Sequence, residues 1–122
     1  MLAWSIIAYG ALLSAVAGAG LVALAARPRR LAVIATAGLA SGLAPFAWNA
    51  ILRATHASQF FTDAPVAILP ASWQDTGSGV FAVALASVLL GLGPRRDQPS
   101  RGTVWLALLC GLAAFLVDVY LY

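Results

Sequence analysis

Three consecutive stretches decide the architecture: LAWSIIAYGALLSAVAGAGLVALAA at 2–26, RPRR at 27–30, and LAVIATAGLASGLAPFAWNAIL at 31–52. Neither apolar run contains a charged residue, and both reach the roughly 20 residues that a helix needs to cross a bilayer. The basic turn follows the first run instead of preceding it. That is the reverse of a secretory signal, so the first run is expected to be a retained span.

Working outward, a third apolar segment has its heart at 80–92 and a fourth covers 103–122. The third is too short to span unless its helix begins near Trp73. Ser72-Trp73-Gln74-Asp75 supplies the start: it has capping-box spacing, with Asp where Glu or Gln is preferred. The sequence therefore predicts an all-α integral membrane protein, a single domain over 1–122 folded as a compact four-helix bundle. Its spans are expected near 2–26, 31–53, 73–93 and 103–121, with a long loop over 54–72.

Composition agrees. The 122 residues are 62% hydrophobic and 9% charged, with mean hydropathy +0.93. Covering a soluble domain takes about 25% charged residues, so lipid must be the main solvent. The charge is seven Arg and four Asp, with no Lys or Glu. All-Arg basicity with heavy Ala usage suggests a bacterial, GC-rich origin and hence a bacterial plasma (inner) membrane. The net +3 does not point to nucleic acid, because the Arg residues sit in short turns beside apolar runs. Cys110 is the one cysteine and lies within an apolar run, so the chain forms no internal disulfide.

Arg placement sets orientation. Arg27, Arg29 and Arg30 occupy the first turn, Arg95, Arg96 and Arg101 the third, and Arg53 alone lies on the other side. By the positive-inside bias both tight turns face the cytoplasm, while both termini and the long loop face outward. Trp4, Tyr120 and Tyr122 then form outer aromatic anchors.

Small residues recur every four positions: Gly10, Ser14 and Gly18; Gly38 and Gly42; Ser87 and Gly91; Ala107 and Gly111. Such faces allow close helix approach within lipid. They serve either to close the bundle or to receive a second subunit.

Polar side chains gather toward the outer end. Ser41, Pro45, Asn49 and Arg53 form one stripe, with His56 three residues beyond. An ionisable residue in a span costs about 2.5–3.5 kcal/mol on insertion scales, so Asn49 and Arg53 should face protein or water. Asp118, the one acid within an apolar run, has matching depth and is the expected partner of Arg53, with Asp63 and Asp75 competing. The candidate outer polar site is thus Asn49, Arg53, His56, Asp63, Asp75 and Asp118. The outer loop is unusually apolar, and Phe60, Phe61, Ile68, Leu69 and Trp73 form a candidate docking surface.

No nucleophile elbow, metal-ligand spacing or phosphate-cradling Gly loop accompanies these residues. No catalytic, cofactor-binding or metal-binding residue is assigned, and the chain is not expected to be an enzyme. The leading expectation is a small accessory subunit of a larger membrane complex, with lipids and other membrane subunits as partners. The alternative is a homo-oligomeric channel or carrier for a small solute or ion, with its polar site around Asn49, Arg53 and Asp118. The cytoplasmic half offers it little: from Leu31 to Leu39 the only polar side chain is Thr36.

Overall fold

The computed structural model describes residues 3–25, 30–56 and 72–121. Four helices account for nearly all of them: α1 (Trp4–Ala25), α2 (Leu31–Ala54), α3 (Trp73–Leu92) and α4 (Ser100–Leu121). At 1.5 Å per residue, their 20–24 residues make rods of about 30–36 Å, the thickness of a bilayer core. All four are long and apolar enough to cross a membrane, and the described residues include no strand. The expected fourth span gains a turn, because the helix starts at Ser100.

Helices adjacent in sequence pack antiparallel, and α1 returns to α4, so the four close into a ring. The diagonals differ: α2 touches α4 across the centre, whereas α1 and α3 barely meet. Along the interior, Val22, Val33, Leu90 and Leu106 fill one end, followed by Ala37, Ala40, Ala86, Ala107 and Cys110. Ala44, Ala82 and Ala114 continue toward the other end. The Cys110 thiol donates to the Ala37 carbonyl at 3.7 Å, tying α4 to α2 at mid-depth.

The packing is small inside and large outside. α1 buries Ile7, Gly10, Ser14, Gly18 and Val22, while Leu12 and Val16 on its other side are 62% and 65% exposed. Water would drive the large side chains inward. Lipid does not, so close backbone approach decides which face is buried. At the α1–α2 seam a Cβ on Gly18 would land on the Ser41 side chain, and one on Gly42 would lie 3.0 Å from Ala15 Cβ and 3.1 Å from the Ala11 carbonyl. At the α3–α4 seam the close partners are Gly79 and Gly111: a Cβ on Gly111 would meet the Gly79 carbonyl at 3.0 Å. Ser87, one of the small residues spaced by four, bonds back to the Val83 carbonyl at 2.7 Å.

α3 begins as its sequence signals. Ser72 Oγ accepts from Asp75 N–H (3.3 Å) and Asp75 Oδ2 accepts from Ser72 N–H (2.8 Å), closing the capping box. At the opposite end of the bundle the turns are linked. Arg30 donates to the Pro94 carbonyl at 2.8 Å, and Arg95 Nε donates to Thr103 Oγ1 at 3.1 Å. Arg27 and Arg29 lie outside the described residues.

Candidate functional site

The polar end of the bundle is built from the last turns of α2 and α4 and the first turn of α3. Its hub is Gln74. The Gln74 Nε2 amide donates to Asn49 Oδ1 at 2.8 Å and to Asp118 Oδ2 at 2.9 Å, joining three helices through one side chain. Asn49 Nδ2 in turn donates to the Pro45 carbonyl at 2.9 Å, which fixes the amide orientation. The Trp48 indole N–H donates to the Gln74 carbonyl at 2.9 Å. The Trp48 ring lies against Gly77, where any Cβ would strike it, and tilts on Phe81 with centroids 4.9 Å apart. Trp48 therefore clamps the first turn of α3 from outside while Gln74 ties it from inside.

Asn49, Gln74, Asp75 and Asp118 are all buried, Asp118 with no exposed surface. Gln74 accepts the polar burden at this level because both of its amide hydrogens are used; a buried donor left unmatched would cost about 1–3 kcal/mol. Asp118 Oδ1 has no hydrogen-bond partner, nor has the buried Ser78 hydroxyl. Ser78 is one helical turn inward from Gln74 and faces this carboxylate without closing a bond of good geometry. Two further buried hydroxyls, Ser14 and Ser41, are likewise unmatched deeper in the bundle.

No protein-family model, curated protein or solved structure matches this chain.

Of the six polar residues singled out from the sequence, the fold brings Asn49 and Asp118 to the two sides of Gln74. Asp75 lies beside them, committed to the α3 N-cap, and close enough for its charge to act on Asp118. Arg53 behaves differently from the expectation. Its guanidinium carbon stands 5.1 Å from the centroid of the Trp4 ring, a cation–π contact between α2 and α1. Among the described residues the carboxylate of Asp118 is bonded to Gln74 and not ion-paired to Arg53. The physical reason is depth: Arg53 is one turn outward of Asn49, where an aromatic ring covers it, while Asp118 is at the level of Gln74. His56 is exposed beyond the end of α2, with φ 53°, a left-handed conformation that terminates the helix. It takes no part in the cluster.

Asp63, Phe60, Phe61, Ile68 and Leu69 lie outside the described residues. Trp73 is the first residue of α3 and is 71% exposed, pointing away from the bundle. The residue missed by sequence reasoning is Gln74. A signal existed: Gln74, Ser78, Ala82, Ala86 and Leu90 recur every four residues, and all are buried.

On the outside of the bundle, α3 and α4 flank an apolar groove of about 560 Å³ whose floor includes Gly79 and Gly111 and whose walls include Val83, Leu112 and Phe115. It is a direct result of the close glycine contact, which draws the two backbones together and leaves the flanking side chains standing proud.

Proposed function

We propose that this protein is a small multi-pass subunit of a bacterial plasma membrane complex, oriented with both tight turns in the cytoplasm and the 54–72 loop outside. The packing carries the reading. The interior is closed by Val22, Val33, Leu90 and Leu106 at one end, by small side chains through the middle and by the Asn49–Gln74–Asp118 network at the other end, and the surface of the spans is largely apolar. Such a body offers its surroundings shape and apolar area, which is what a packing subunit contributes. The Arg asymmetry supports the orientation, and the apolar loop residues Phe60, Phe61, Ile68 and Leu69 with Trp73 supply an outer docking surface.

Single cysteines introduced on a Cys110→Ala background test the orientation. A membrane-impermeant thiol reagent is expected to label position 59 in intact cells and position 98 only after lysis. Labelling of position 98 in intact cells would overturn the topology.

Docking is tested by purification in mild detergent. A second membrane protein is expected to co-purify in fixed stoichiometry, and Phe60→Ser with Phe61→Ser is expected to release it while insertion is unchanged, since both residues fall outside the four spans expected from the sequence. A chain that purifies as a lone monomer, or a double variant that keeps its partner in full, sinks the subunit reading. A stable symmetric oligomer of this chain alone would favour the channel or carrier reading instead, to which the buried carboxylate of Asp118 lends support.

A further inference from the structure

The orphaned oxygens beside Gln74 point beyond packing. Asp118 sits in an apolar helix with no exposed surface, one oxygen bonded to Gln74 and the other facing Ser78 without a well-formed hydrogen bond. Ser78, also without exposed surface, brings an unmatched hydroxyl to the same place from α3. An ionised carboxylate in a span is costly unless something positive meets it. Among the described residues, no packed element brings that charge to the level of Asp118. From α2 come Asn49, which is neutral, and Arg53, a turn further out over the Trp4 ring. From α3 come Gln74, Ser78 and the acid Asp75, whose charge adds to that of Asp118 instead of offsetting it. At this end α1 buries Ile7 and Gly10, which carry no charge.

We propose that Asp118 and Ser78, covered by Gln74 and Asn49, form a buried binding site for a small monovalent cation, a proton or a sodium ion. Either species supplies the single positive charge that the carboxylate needs. A proton on Oδ1 turns that oxygen into a donor toward the Ser78 hydroxyl while Oδ2 continues to accept from Gln74. A sodium ion takes Oδ1 and Ser78 Oγ as oxygen ligands. A transition metal does not suit the site: no three His, Cys, Asp or Glu side chains come together among the described residues. Because the Gln74 amide joins Asp118 to Asn49, cation occupancy is coupled to the closure of α2, α3 and α4 at this end. The site is independent of whether the protein acts as a subunit.

The test is thermal unfolding of the purified full chain in detergent. In one arm, sodium replaces choline at fixed pH and ionic strength; in the other, pH is varied from about 5 to about 9 without sodium. A species bound only by the folded form raises the midpoint with its concentration, by about 5 °C for each tenfold above its dissociation constant. Sodium dependence at fixed pH identifies sodium. Stability that falls as pH rises, with no sodium response, identifies the proton, because the folded form then holds a proton that the unfolded form releases. Asp118→Asn is expected to abolish the response, since its amide can still accept from Gln74 and donate to Ser78. Ser78→Ala keeps the carboxylate and is expected to shift the concentration for half-response by about tenfold, so it decides the matter even where Asp118→Asn fails to fold. A wild type indifferent to both variables, an Asp118→Asn protein with the wild-type response, or an unshifted Ser78→Ala response would overturn the site.

Discussion

Gln74→Leu is expected to lower the unfolding free energy in detergent by about 2–5 kcal/mol, the largest single effect of any conservative-volume change at the polar end. The substitution removes the donor to Asn49 Oδ1 and the donor to Asp118 Oδ2 at once. It leaves both acceptors buried, and one belongs to a carboxylate whose other oxygen already lacks a partner. The loss should be mostly reversible by further substitution. Removing all three members together, as Asn49→Leu, Gln74→Leu and Asp118→Leu, leaves no stranded polar atom. It is expected to recover most of the stability, because replacing a whole buried polar group by apolar residues is often neutral. Equilibrium unfolding of the single and triple variants checks this. A Gln74→Leu cost below about 1 kcal/mol, or a triple variant less stable than the single one, would show that the network does not hold the helices together.

The second large effect is steric and lies at the α1–α2 seam. Gly18→Leu is expected to cost about 2–3 kcal/mol, the upper part of the range for forcing extra carbons into a filled interior. The first added carbon already falls on the Ser41 side chain, and Ser41 is fully buried. Its neighbours cannot give way cheaply, since the next residue of α2, Gly42, rides on the Ala11 carbonyl and Ala15. Gly20, two residues from Gly18, is the control. A Cβ there meets nothing within 4 Å, so Gly20→Ala should be neutral or stabilise by up to about 1 kcal/mol through helix propensity. Parallel unfolding of the two variants separates seam packing from helix propensity. Equal effects at the two positions would mean that α1 does not pack as described.

Much of this architecture was legible in the residues. Apolar run length located four helices, because a bilayer of fixed thickness demands it. Ser72 and Asp75 marked the start of α3, because a capping box is a local device that needs no tertiary partner. The four-residue spacing of Ser41, Pro45 and Asn49 placed them on one face of α2, and all three are buried. Gly10, Ser14 and Gly18 likewise share the buried face of α1.

Partners were another matter. Periodicity tells which residues share a face but not which neighbouring face they meet. That depends on how far each helix is rotated and how closely the backbones approach. Matched depth along the chain suggested Arg53 for Asp118, yet the difference of one helical turn places Arg53 over Trp4 and leaves Asp118 to Gln74. Spacing picked out Gly111 on α4 but Ser87 and Gly91 on α3, whereas the residue that meets Gly111 closely is Gly79. The choice of α2 and α4 as the touching diagonal has no local signature, since it depends on how all four helices pack together. Length, charge asymmetry and capping are properties of a segment, and the sequence by itself determined them. The Gln74 junction depends on hydrogen-bond geometry accurate to a few tenths of an ångström between three separate helices, so only their packing together decided it.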